Sequence, residues 1–198
     1  MLLWVLLLPL CMNAAAAEFR TLKVSRHGDS YYLSADVYLG APLPQVYQVL
    51  TDYNHLTRIS GVIQRSHLLN RIDPHTALVY VESRACVLFF CHTIRETQKV
   101  VESPPDGIAA EAIPAQSNVK LADSSWHLQA EGTGTRMQWN FTIVPEFWIP
   151  PLIGPALVKS ALRTEAQFSA RGIEKLARQR AHLPPPSIAT HAPSTQTH

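Results

Sequence analysis

The chain has 198 residues and a formal net charge of +2, from 17 Lys and Arg against 15 Asp and Glu. This near-balance, without a basic block or stripe, excludes a partner held through nucleic-acid phosphates. The length excludes two well-cored domains but allows one.

The first residues, MLLWVLLLPL, are apolar, and Ala14-Ala15-Ala16-Ala17 follows a short polar break. An apolar stretch leading to a small-residue cleavage site is the layout of a secretory signal. The run is about half of the ~20 residues that a membrane-spanning helix needs. Cleavage is expected after Ala17, with Glu18 first in the mature chain, and the expected location is the periplasm of a Gram-negative bacterium. At the other end, LPPPSIATHAPSTQTH is rich in Pro, Ser, Thr and His and cannot build a packed face. The expected organisation is a signal over 1–17, one domain over 18–181 and a disordered tail over 182–198.

Tyr31, Leu33, Ala35, Val37 and Leu39 alternate with residues that include Ser34 and Asp36, the period of a strand with one buried face. Pro42 and Pro44 then lead into Val46, Val49, Leu50 and Tyr53, spaced as on a short amphipathic helix. A second short helix or turn is expected over Asp52–Ile59. Strands are expected over Val62–Asn70, Thr76–Ser83, Thr93–Val101, Ile108–Ile113, Val119–Ala130 and Arg136–Val144, with Gly- and Pro-rich turns between them. That spacing predicts an antiparallel meander. The last strand is the clearest, with Met137, Trp139, Phe141 and Ile143 on one face.

Cys11 leaves with the signal, so Cys86 and Cys91 remain. On one straight strand their Cα atoms would stand about 16 Å apart, whereas a disulfide needs roughly 4.4–6.8 Å. The bond therefore requires Val87-Leu88-Phe89-Phe90 to turn back between two neighbouring strands, with the cysteines facing each other at the base. In an oxidising compartment that geometry permits a disulfide, and one is expected. The apolar loop either folds over a cavity mouth and touches a membrane transiently, or packs as ordinary core.

From Ala156 to Arg180 no proline interrupts the chain, and a helix of about 25 residues is predicted. A wheel count puts Ile153, Leu157, Ala161, Thr164 and Phe168 on its apolar arc, with Val158, Leu162, Ile173 and Leu176 beside them. Lys159, Arg163, Gln167, Glu174 and Arg178 take the polar side. One helix is too narrow to cover a sheet of seven strands. A sheet curled around it leaves an apolar gap, the usual form of a small-molecule site.

The run Val37-Tyr38-Leu39-Gly40-Ala41-Pro42 through Thr51-Asp52-Tyr53 resembles the START-like superfamily's strand, Ala-Pro-led helix and Thr-Asp-Tyr close. The segment from Gly134-Thr135-Arg136 to Phe147-Trp148-Ile149-Pro150-Pro151 is similar to its final strand and aromatic–proline lead-in to the last helix. The superfamily includes coenzyme-Q-binding proteins, polyketide cyclases and lipid-transfer domains. The resemblance covers roughly Ser30–Arg180. It implies an α+β helix-grip fold: a curved antiparallel sheet, here of seven strands, around a long C-terminal helix, with two short helices after the first strand.

No catalytic constellation is present in the sequence. There is no nucleophile elbow and no paired-histidine zinc motif, the histidines are scattered, and neither a metal nor a cofactor is expected. The expected cavity residues are Trp126, Trp139, Phe141, Trp148, Leu157, Leu162, Glu165 and Phe168, with Val87, Leu88, Phe89, Phe90 and Phe147 at the mouth. Glu165 falls within the apolar arc, where it either meets a polar group of a ligand or pairs with Arg84 or Arg95 at the rim. The expected function is binding or transport of a lipid or quinone by a monomer. The alternative is a cyclase- or aromatase-type enzyme using Glu165, Arg84 or His127 in the same cavity.

Overall fold

The computed structural model of the protein describes residues 17–87, 90–147, 149 and 152–184. Of the expected cavity and mouth residues, Leu88, Phe89 and Trp148 lie outside the described residues, as do most residues of the expected signal and tail.

The sheet is antiparallel and has eight strands, in the order β1-β2-β8-β7-β6-β5-β4-β3. They are β1 (Glu18–His27), β2 (Ser30–Leu39), β3 (Ile63–Asp73), β4 (Thr76–Val87), β5 (Phe90–Ser103), β6 (Gly107–Ala112), β7 (Val119–Glu131) and β8 (Gly134–Pro145). Helix α1 (Leu43–Leu50) and a 3-10 segment (Tyr53–Arg58) follow β2, and α2 (Gly154–Arg180) follows β8. This is the helix-grip arrangement, with one strand more than the seven expected. The added strand, β1, forms a hairpin with β2 through Gly28 and Asp29, and Gly28 takes the positive φ that the tight turn demands. Only Val24 of β1 is buried, so no alternation marks it. As an edge strand it carries Arg20, Lys23 and Arg26, charges that discourage pairing with another chain.

The expected faces of the central strands are in place. Tyr31, Leu33, Ala35, Val37 and Leu39 of β2 are all buried, and so are Met137 and Ile143 of β8. The two strands pair directly, with Ala35 opposite Trp139 and Val37 opposite Met137. On α1, Val46, Val49 and Leu50 are buried. Gly134, which starts β8, permits a close crossing: a Cβ there would run into the Leu39 carbonyl and the Tyr38 hydroxyl.

Helix α2 sits rotated from the orientation that its apolar residues suggest. Ile153 and Phe168, expected on the buried arc, are 54% and 51% exposed, whereas Glu174 and Arg178, expected in solvent, are 0% and 4% exposed. The buried stripe is Ala166, Ser169, Ala170, Ile173, Glu174, Ala177 and Arg178. Small side chains let the helix approach the sheet closely, and the two charged residues are buried because they bind backbone. The Gly40 N–H donates to Glu174 Oε1 at 2.8 Å, and the Gly40 carbonyl accepts from Arg178 Nη1 at 2.5 Å. The Ala17 N–H donates to Glu174 Oε2 at 2.6 Å, and Arg178 Nε donates to the Pro184 carbonyl at 2.7 Å. Burial pushes the Glu174 carboxyl up from the usual range, opposed by these N–H groups and by the Arg178 charge.

Gly172 marks the closest approach of α2 to the loop before β3. A Cβ there would lie 3.0 Å from Ile59 Cα and 3.3 Å from its carbonyl oxygen. Helix propensity alone would make Gly172→Ala stabilising by about 1 kcal/mol. Because the contact is with backbone, the substitution is expected to destabilise instead, read as a lower urea midpoint. A chain begun at Glu18 lacks the Ala17 donor to Glu174. It is expected to be less stable than one begun at Ala17, by about 1–3 kcal/mol in the same assay.

Candidate functional site

The inward faces of β4, β5, β7 and β8, with α2 across them and the 3-10 segment at one side, line a partly open cavity of about 310 Å³. Its walls are mostly carbon: Val79 and Val81 from β4, Ile94 and Val100 from β5, Trp139 and Phe141 from β8, and Val158, Leu162 and Ile173 from α2. Trp126 and Trp139 stack across β7 and β8 with ring centroids 6.2 Å apart. Phe147 lies flat on His92, centroids 4.0 Å apart and planes within 9°, and both rings line the cavity.

Of the residues expected at the site, Trp126, Trp139, Phe141, Phe147, Leu162 and Glu165 line this space. Leu157 is half-buried but does not line it, and Phe168 stands outside it. The rotation of α2 explains both: it carries the centre of the expected arc toward solvent and turns Val158 and Leu162 inward. Val87 and Phe90 prove to be strand residues whose backbones pair with each other, so the expected loop does not include them. Cys86 and Cys91 are directly opposed and disulfide-bonded, with Cα atoms 3.9 Å apart. The cross-link sits one residue beyond Ala85 and His92, which line one end of the cavity.

Glu165 has no arginine partner among the described residues. Its carboxylate accepts from Ser60 Oγ at 2.6 Å, Ser169 Oγ at 3.0 Å and the Gly61 N–H at 3.1 Å. It therefore ties the loop before β3 to α2, with its hydrogen-bonding capacity largely taken up by protein. Arg95 instead pairs with Glu82 at 3.0 Å. Arg84 and His127, the other side chains considered for an enzymatic pocket, are exposed and do not line the cavity.

The polar group that sequence reasoning missed is on β5. Glu96 is 7% exposed and lines the cavity, beside Gln98. Gln98 Nε2 donates to Glu96 Oε2 at 2.6 Å, the one hydrogen bond of that carboxyl among the described residues. Burial pushes the Glu96 carboxyl up, and the Gln98 hydrogen bond opposes this. On β8, the Trp139 indole N–H is buried without a hydrogen-bond partner among the described residues. The signal for Glu96 was strand parity. His92, Ile94, Glu96, Gln98 and Val100 share one face, so the apolar Ile94 and Val100 mark the glutamate between them as inward.

Residues 33–179 match the family described as polyketide cyclase / dehydrase and lipid transport. The chain belongs to this family. No curated protein matches the sequence. Among solved structures, the START-like fold is shared with the protein TTHA0849 from Thermus thermophilus at 15% identity and a TM-score of 0.63, covering 76% of this chain and 99% of that one. It is shared with the Zhui aromatase/cyclase from Streptomyces sp. R1128 at 13% identity and a TM-score of 0.63, covering 77% and 96%. Human STARD10 aligns at 10% identity and a TM-score of 0.60, covering 81% and 74%. At these identities the START-like neighbours establish the architecture, and function has to be argued from the cavity.

For Glu96 the linkage has a definite sign. Its folded-state pKa is raised above the unfolded value, so the buried carboxyl is tolerated while protonated and costs stability as pH rises through the folded pKa. Glu96→Gln is therefore expected to leave stability nearly unchanged near pH 4 and to raise it at pH 7–8, measured as urea midpoints across that range.

Proposed function

We propose that this protein binds and carries an apolar small molecule, of the lipid or quinone class, in the cavity between the sheet and α2. The observation that carries the reading is a concave space walled by aromatic and aliphatic side chains, with few polar groups and those mostly bonded to protein. Each buried methylene contributes about 0.8 kcal/mol, so roughly ten of them offset a typical cost of association with a margin left for binding. A STAR-related lipid transfer protein from Xanthomonas axonopodis shares the scaffold, which is consistent with such a role. The leader-like N-terminus supports export, where envelope lipids and quinones would be the available ligands. Access would run past the Cys86–Cys91 hairpin and the segment around Phe147.

One observation favours a second reading, an enzyme of the aromatase or cyclase type. Glu96 is a carboxyl inside the cavity whose pKa is displaced toward neutrality, the condition a general acid or base requires. No further acid–base side chain within hydrogen-bond reach of it is present among the described residues, and the carrier reading stands first for that reason.

The deciding experiment is native mass spectrometry of the protein purified from the envelope of its own host, followed by extraction. The expected result is an apolar molecule bound near one to one. A chain that is repeatedly empty, and that takes up no lipid or quinone from an envelope extract, would overturn the carrier reading.

A further inference from the structure

We infer that the cavity selects an uncharged ligand carrying a hydroxyl or carbonyl group, and discriminates against ligands headed by carboxylate or phosphate. This rests on the carrier reading and specifies its ligand chemistry. Among the described residues that line the cavity there is no lysine or arginine, and the only formally charged side chains are two glutamates, Glu96 and Glu165. An anionic head brought inside would lose its hydration with no cation to replace it, and would meet carboxyl groups instead.

The polar groups left over also have a definite character. Glu165 is already met by two hydroxyls and a backbone N–H. Glu96 has only the Gln98 amide, which leaves hydrogen-bonding capacity on both side chains. The Trp139 indole N–H is also without an acceptor among the described residues, but it is covered by protein and is not open to the cavity. Buried polar groups are normally satisfied. A hydroxyl both donates and accepts and can serve the Glu96–Gln98 pair, and a carbonyl oxygen can accept from the second N–H of the Gln98 amide. An apolar body with one such group at the Glu96–Gln98 pair fills the space and satisfies what the protein leaves open. A purely hydrocarbon ligand would leave these groups unpaired.

His92 is the one lining side chain outside this set that could carry positive charge, and it lies at the hairpin end, stacked on Phe147. The test is run at pH 8. Delipidated protein is titrated with 1-decanol, decanoate and decylamine, which share a chain and differ in head charge, by calorimetry or by tryptophan fluorescence. The expected order is decanol tightest, with decanoate weaker by about tenfold or more. Decylamine is also expected to be weaker than decanol, because its ammonium group must shed its hydration shell. Glu96→Gln should narrow the gap by improving decanoate. Decanoate or decylamine binding as tightly as decanol would overturn the selectivity and leave the carrier reading standing. Failure of all three to bind would overturn both.

Discussion

Glu174 and Arg178 stand one turn apart on α2 and hold the same residue from two sides, at the N–H and the carbonyl of Gly40. Gly40 is the residue immediately after β2, where the sheet ends and the chain turns toward α1. The two contacts fix the height and rotation of α2 over the sheet, and the rest of the cavity roof follows from that. Val158, Leu162, Glu165, Ser169 and Ile173 face the cavity because Glu174 and Arg178 face Gly40. A buried carboxylate and guanidinium are costly to desolvate. Here each is met by backbone dipoles as well as by the other's charge, so the pair acts as a locating device more than as a net source of stability.

The second consequence is geometric. Eight strands present more apolar surface than one helix can cover, and curling the sheet around α2 leaves the middle of β5, β7 and β8 facing empty space. The two ends of that space are bounded by different features. Glu165 binds Ser60, Gly61 and Ser169 at the 3-10 side, and the disulfide-bonded tip of the β4–β5 hairpin stands with Phe147 at the other. The cavity thus has a rim held by hydrogen bonds at one side and by a covalent cross-link at the other.

The family to which the chain belongs combines polyketide cyclases with lipid transport, and one architecture serves both because the chemistry is set by few side chains on the inner face. On the inner face of this protein, Glu96 and Gln98 of β5 are the polar pair with hydrogen-bonding capacity left over. The absence of a lining cation among the described residues bears on ligand charge, and the solitary Glu96 bears on whether proton transfer is feasible. Both are local properties that fold comparison at 10–15% identity does not address.

Periodicity carried most of the architecture. The alternation in β2 and β8, the proline-free length of α2, and the turn residues between strands were each legible because one face of the element is apolar and the other is not. The disulfide was legible from cysteine count and from strand adjacency. Three things were not. β1 is an edge strand with a single buried residue, so it has no alternation to read. The rotation of α2 is set by alanines that allow close approach and by two charges that bind Gly40, and a wheel that counts large apolar side chains weighs neither. Glu96 resembles any strand glutamate until its neighbours Ile94 and Val100 are seen to face a cavity. The sequence by itself thus determined the central strands, the short helix, the long helix and their order, because these depend on local composition and period. Only the tertiary structure decided which polar residues are buried, because burial depends on what stands opposite.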